Sequence, residues 1–268
     1  MKFLEAQFRK LPQELADNID DIRILDTVSR HEVMVILKLK RDKHLQYKRA
    51  ISELLETTKN LHSVYTEYDG KYHFAGGEQA ITDIFNSFKF CLSPYSPIKS
   101  KDQDKLYKKI TSVCPKGTTR NAIIIDTHSG LLPVHVGFLY NRIYGIENSK
   151  QKYNDARANL FLNKTNNCLM FDLPSEKWLK DFSEHKYTPP GKKNKLGLAI
   201  INPAFLTEKG LQSLVELRPE SLIIFTNDLK LAQTTKSFFQ KFDFETMEDS
   251  EVVGFKVIKM KWRANEGS

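Results

Sequence analysis

Two acids at the tips of apolar runs are the residues best placed to do chemistry. The run AIIID ends in Asp126 and continues into Thr127-His128-Ser129-Gly130, and about twenty residues later the run RIYGIE ends in Glu147. A turn followed at that distance by an acid is the general pattern for holding a nucleoside. The turn lets the ligand approach the backbone, and the carboxylate accepts hydrogen bonds from two ribose hydroxyls. An acid at a helix start also caps it against the helix dipole, and both readings fit Glu147. Asp172, just after a third apolar run, suits an adenine-side contact or a cap equally well. His128 and His135 flank the turn with no partner evident in the sequence, so they read as solvated or capped loop histidines. Cys91, Cys114 and Cys168 show no CxxC pair and no histidine at ligand spacing, which supports reduced thiols rather than a zinc site or a disulfide framework.

The elements that position these residues follow from hydrophobic periodicity. Strands are expected at 122–126, 142–146, 168–171, 196–201, 221–225, 242–247 and 252–260, with helices between them, notably 149–163 and 228–241, and a further helix beginning near 103. Continuous apolar strands alternating with amphipathic helices specify a mostly parallel sheet covered on both faces. The last two strands have only a short connection, so one of them runs antiparallel. The fold class is therefore α/β, a Rossmann-like, doubly wound sheet of seven strands with a terminal antiparallel hairpin, over residues 96–268. Residues 1–95 read as a small α+β domain: a helix over 1–17, strands near 21–28 and 31–40, a helix at 46–58, and a hairpin turning at Asp69-Gly70. No repeating βα unit is apparent there.

At 268 residues, 40% hydrophobic and 28% charged, the chain has the composition of an ordinary soluble protein. No window approaches the ~20 apolar residues of a membrane span, and the start lacks the apolar core of a secretory signal. An intracellular, soluble location is expected. A mitochondrial one is suggested by the partly basic start (Lys2, Arg9, Lys10) and opposed by Glu5 and Glu14, so mitochondrion, cytoplasm and nucleus all stay open. A formal charge of +8 favours a polyanionic partner such as RNA, because neutralised phosphates release counterions.

Five ordered segments carry a more specific signal: FKFCLSPYSPIKSKDQDKLYKKI (88–110), IIIDTHSG, YGIENSKQKYNDARANLFLNKTNN, AIINPAF and IIFTNDLKLAQ. In order and spacing they resemble the RNA (uracil-5-)-methyltransferases, class I S-adenosylmethionine-dependent enzymes that make 5-methyluridine in tRNA or rRNA. HEVMVILKLKR and the stretch after it resemble that family's central domain, so the likeness runs from about residue 30 nearly to the end. The resemblance implies a cysteine nucleophile in a Ser-Cys-Asn-Pro turn after the fifth strand and a glutamate base near the carboxy terminus. Here the turn reads Phe225-Thr226-Asn227-Asp228, and Thr226 offers a hydroxyl of high pKa where a thiolate is needed. The base position reads EVVGFKVIKMKW, with Glu251 a few residues upstream.

The cofactor positions implied by the family have changed too. Leu132 stands in place of its second glycine, Ile98-Lys99 in place of Phe-Gln, and Asn202-Pro203-Ala204-Phe205 in place of Asp-Pro-Pro-Arg. Asp126, Ser129, Gly130, Glu147, Asp172, Asn202 and Lys99 are thus the vestiges of a cofactor site. No cofactor is expected, and S-adenosylmethionine is the one to look for if the pocket still works. The preferred reading is a pseudo-methyltransferase acting as an RNA- or ribonucleoprotein-binding subunit. Its candidate contacts are Lys99, Lys101, Lys105, Lys108 and Lys109, together with Lys192, Lys193 and Lys195 on the loop HKYTPPGKKNKLG, and Tyr95 and Phe205 as stacking aromatics. The alternatives are an active RNA methyltransferase with a divergent site and a protein-interaction subunit of a larger complex.

Overall fold

The computed structural model describes residues 8–9, 11–27, 29–85, 87–95, 100–115, 121–184 and 196–263. The chain divides into two compact units, residues 1–100 and 101–268.

In the first unit, helix α1 (Gln13–Asn18) leads into β1 (Ile19–Asp26), which pairs antiparallel with β2 (Val33–Leu39). Helix α2 (Lys48–Thr57) then crosses to β3 (Leu61–Tyr68), which runs parallel to β2, so the unit does hold a single βαβ crossover. Strand β4 (Lys71–Gly77) returns antiparallel through Asp69 and Gly70, both at positive φ (50° and 71°), which is the left-handed pair a two-residue hairpin requires. The four-stranded order is β1-β2-β3-β4, with Leu15, Val35, Leu37, Ile51, Leu54 and Val64 in the core. A separate hairpin, β5 (Ile81–Phe85) with β6 (Phe88–Leu92), completes the unit.

The second unit opens with α3 (Ser100–Val113). The parallel strands β7 (Asn121–Ile125), β8 (Arg142–Glu147), β9 (Cys168–Asp172), β10 (Leu196–Ile201) and β11 (Ser221–Thr226) alternate with α4 (Leu131–Val136), α5 (Lys150–Leu162), α6 (Ser175–Ser183), α7 (Glu208–Leu217) and α8 (Leu229–Gln240). Strands β12 (Phe244–Val252) and β13 (Phe255–Trp262) form a terminal antiparallel hairpin, with β13 also antiparallel to β11. The sheet order is β12-β13-β11-β10-β7-β8-β9. Every residue of β10 and β11 is buried, and Ile123, Ile124 and Ile125 of β7 are fully so, as strands covered on both faces must be. Each such side chain contributes about 1.5–3 kcal/mol of burial.

The hairpin turn differs from the expected strand over 252–260: it falls at Val253-Gly254, both at positive φ (48° and 79°). The run VVGFKVI is apolar enough to read as one strand, but Val252 pairs with Phe255, and that register places the reversal between them.

Strand order reverses between β10 and β7, since β8 and β9 lie to one side of β7 and β10 and β11 to the other. The crevice at their carboxyl ends is where ligands bind in open α/β sheets. Among the described residues no helix is long and apolar enough to cross a membrane.

Candidate functional site

The turn after β7 is wound left-handed. Asp126, His128, Ser129 and Gly130 take φ values of 65°, 50°, 55° and 82°. For residues other than glycine this conformation is strained and persists only where neighbours hold it, a feature that clusters at functional sites. Glu147 supplies the hold. It is only 1% exposed, and its Oε1 accepts from the Thr127 amide (3.0 Å), the Thr127 hydroxyl and the Ser129 amide (3.2 Å). The Thr127 hydroxyl in turn accepts from the Gly130 amide (3.0 Å), and Asn159 of α5 donates to the Ser129 carbonyl (2.9 Å). One oxygen of the carboxylate expected to meet ribose hydroxyls is thus held by donors of its own chain.

Gly130 is glycine for a related reason. A Cβ there would lie 2.8 Å from both Cα and O of Ala156, so the backbone of α5 fills the space. Leu132, in the first turn of α4, is fully buried and donates its amide to the Thr127 carbonyl (3.2 Å).

Beside the turn lies a second buried polar group. Asp126, 4% exposed, accepts from Asn202 Nδ2 (2.9 Å) and faces His128 Nε2 (3.4 Å) and Lys152 Nζ (3.9 Å). The other imidazole nitrogen, His128 Nδ1, lies 3.0 Å from the Tyr107 hydroxyl of α3. Lys152 also sits over the Phe205 ring, 5.2 Å from its centroid. Asp126 Oδ1 and Ser129 Oγ are buried with no hydrogen-bond partner among the described residues, so the cluster is nearly but not wholly satisfied there.

These neighbours set the charges. Burial, reinforced by the Asp126 charge, pushes the Glu147 carboxyl up from 4.5 to about 7, against the lowering effect of its Thr127 hydrogen bond. Burial also raises Asp126, but His128, Lys152 and Asn202 outweigh it and hold that carboxyl below its ordinary value. Burial, with Asp126 and Glu147 nearby, raises Tyr107 well above its usual range, so its hydroxyl stays neutral. Two acids in one crevice are thereby pushed apart, Asp126 toward the charged form and Glu147 toward the neutral one.

Neither histidine is a solvated loop residue. His128 and His135 are each 5% exposed; His128 bridges Tyr107 and Asp126, and His135 lies in α4 with its Nδ1 2.8 Å from the Leu131 carbonyl. Burial lowers the His135 pKa. Of their partners, Tyr107 reaches His128 only on folding, whereas Asp126 and Leu131 lie two and four residues away in the chain.

Thr226, where the family resemblance implies a nucleophile, is 1% exposed and its hydroxyl accepts from the Asp228 amide (3.2 Å). Asp228 caps α8 by accepting from the Leu231 amide (2.9 Å), so this segment is the entry turn of a helix. Among the described residues no imidazole or carboxylate hydrogen-bonds the Thr226 hydroxyl. Glu251 is exposed and pairs with Lys256, which itself lies opposite Thr226. Two strand spacings, about 10 Å, separate Glu251 from the threonine.

Of the remaining candidates, Asn202 joins this crevice through its bond to Asp126, and the other described ones lie elsewhere. Asp172 ends β9 in an ion pair with Lys150 (3.1 Å), and Asn202 caps the short 3-10 turn Pro203–Phe205 by accepting from the Ala204 amide (3.2 Å). Lys105 and Lys108 are exposed on α3, Lys108 paired with Asp104 (2.7 Å), and Lys109 pairs with Glu248. Lys101 lies in α3. Lys99, Lys192, Lys193 and Lys195 lie outside the described residues. Tyr95 packs edge-on against Tyr72, with ring centroids 4.9 Å apart. The three cysteines are free thiols, and burial pushes Cys114 and Cys168 up to about 12. Thr127, Lys152 and Asn159 were not singled out from the sequence. Asn159 left the one usable signal, a poor helix former in the middle of a helical run.

No protein-family profile matches the chain, and no curated protein matches it. Its structure, by contrast, has many counterparts. It is similar to the tRNA (uracil-54, C5)-methyltransferase of Pyrococcus abyssi in complex with S-adenosyl-L-homocysteine, with a TM-score of 0.64 and 12% identity over 89% of this chain and 58% of that one. It is similar to aTrm5 in its complex with tRNALeu, at 0.56 and 15% over 97% of this chain and 78% of that one. It is similar to P. horikoshii TYW2 in complex with MeSAdo, at 0.56 and 15% over 97% of each chain. The chain spans less than two thirds of the P. abyssi enzyme. What these likenesses share with the strand order β12-β13-β11-β10-β7-β8-β9 is the Rossmann-like class I methyltransferase fold.

Proposed function

We propose that this chain is a degenerate relative of the RNA methyltransferases, one that does not transfer methyl groups and serves as an RNA-binding subunit acting on tRNA, rRNA or a ribonucleoprotein assembly. The observation that carries this reading is the state of Glu147. Three donors of the chain already occupy its Oε1, which leaves only the other carboxyl oxygen to meet a nucleoside. The Cβ side of Gly130 faces the backbone of Ala156, and the buried Leu132 stands where the resemblance implies a second glycine, which supports a site that does not hold S-adenosylmethionine. At the nucleophile position stands a buried threonine with no base on it. RNA as the partner is supported by the +8 charge, by the exposed Lys105 and Lys108, and by the tRNA bound or modified by the proteins of similar structure.

A second reading, an active S-adenosylmethionine-dependent RNA methyltransferase, is favoured by one feature: the strained turn and the acid at the tip of β8 are both retained. Calorimetric titration with S-adenosylmethionine and S-adenosylhomocysteine decides between the two. The expected result is no binding to a folded protein, alongside RNA binding that weakens steeply as salt rises. Micromolar cofactor binding would overturn the degenerate reading. A folded protein that binds neither cofactor nor RNA would leave the protein-interaction role.

A further inference from the structure

The second unit has an open cleft away from the crevice. It runs along the outer edge of the sheet, where β9 is the last strand, and measures about 400 Å³, within the ~300–1,000 Å³ of small-ligand sites. Tyr153, Arg157 and Leu160 of α5 form one wall, at the spacing that aligns side chains on one face of a helix, and Cys168, Leu169 and Met170 of β9 form the other. We infer that this cleft holds an unpaired base of a bound RNA, stacked at Tyr153 with its phosphate met by Arg157. The inference rests on the RNA-binding reading above and adds the place where a base is held.

Three observations carry it. Tyr153 is half-buried, with Lys150 Nζ and Arg157 Cζ over its ring, 4.8 Å and 5.8 Å from the centroid, so a base stacks there as the exposed Arg157 turns from the ring to a phosphate. Arg157 is exposed, and among the described residues no carboxylate pairs with it, whereas Lys150 is already paired with Asp172. No acid lines the cleft, and its floor is apolar: Leu160 is buried, Leu169 is 45% exposed, and the Cys168 thiol lies 3.9 Å from the Met170 sulfur. A flat ring with an anionic flank matches an aromatic face, an unpaired guanidinium and apolar walls. An apolar protein side chain would fill the floor and leave Arg157 without its anion.

The test is fluorescence anisotropy of the full chain with labelled single-stranded oligo(A) and oligo(U) of about 12 nucleotides and with a duplex of the same length. The expected result is a preference for single strands that falls about tenfold in Arg157→Ala and in Tyr153→Ala and is kept in Tyr153→Phe, which preserves the ring. Ultraviolet cross-linking is expected on the peptide carrying Tyr153. Because Arg157 is exposed, its variant reports even if Tyr153→Ala fails to fold. Single-strand binding unchanged in Arg157→Ala and in Tyr153→Ala, with cross-links elsewhere, overturns the cleft while leaving RNA binding intact. A wild-type chain that binds no RNA overturns both. A wild-type dimer in sedimentation that Leu169→Asp dissociates assigns the cleft to a second copy and overturns the inference.

Discussion

The carboxyl ends of β7 and β8 and the outer edge of β9 belong to one sheet, yet they dispose of polar groups in opposite ways. At the strand ends, Glu147, Thr127, Asp126, His128, Tyr107 and Asn202 are buried or nearly so and direct their hydrogen bonds to one another. Along β9, Tyr153 and Arg157 face a cleft open to solvent, and Arg157 has no acidic partner among the described residues. At the strand ends a ligand meets a carboxyl whose Oε1 already holds three donors, whereas at the edge it meets an exposed guanidinium beside an aromatic ring. A switch in strand order is therefore not enough for a binding site; the bonding capacity left there for a ligand also decides.

The sharpest way to break this contrast is at Gly130. Gly130→Ala puts a Cβ at positive φ and 2.8 Å from the Ala156 backbone. Strain and overpacking together are expected to cost about 4 kcal/mol in urea denaturation. A neutral result would mean that the turn is plastic and able to open for a ligand.

Next comes the pH dependence of Glu147. Its carboxyl is raised in the folded protein from 4.5 to about 7, so its protonated form is the one folding favours. Its contribution is fully present below about pH 4.5 and is lost as pH rises through 7. At ~1.4 kcal/mol per pKa unit the loss is about 3 kcal/mol. Glu147→Gln keeps an acceptor without the charge and is expected to flatten the stability curve between pH 4.5 and 8, ending more stable than the wild type at pH 8. Parallel curves for the two proteins would show that the carboxyl is not perturbed. Asp126, whose carboxyl is lowered, acts in the other direction and loses its contribution only as pH falls through its depressed value, below this window.

Tyr107→Phe removes the hydrogen bond to His128 Nδ1 and is expected to cost about 1 kcal/mol with no change in RNA affinity. Smallest in stability is the pair Lys105→Ala and Lys108→Ala on the exposed face of α3, within about 0.5 kcal/mol of the wild type. If that face meets phosphate, the same substitutions weaken RNA binding evenly across sequences and lower the salt slope by about one for each phosphate no longer neutralised. A slope unchanged by both would move the electrostatic surface elsewhere on the chain.

Much of the architecture is legible along the chain because its causes are local. Ile123, Ile124 and Ile125 in a row require a strand buried on both faces, Asp69-Gly70 supplies the two left-handed residues of a hairpin, and Ser149 and Asp228 cap the helices that follow them. The place of Glu147 at a strand tip is legible for the same reason. Where causes are non-local the sequence misleads: Val253-Gly254 reads as strand until β12 pairs with β13, and His128 reads as solvated until Tyr107 reaches it from α3.

By itself, then, the sequence determined which segments become strands and helices, in what order they wind, and which acids stand at the ends of β7, β8 and β9. Tertiary structure alone decided which way those acids face. Strand periodicity and helix capping act within a few residues, but the direction of the Glu147 carboxylate depends on Thr127 and Ser129 some twenty residues earlier and on Ala156 and Asn159 of the next helix. Those groups meet only once β7, β8 and α5 have packed.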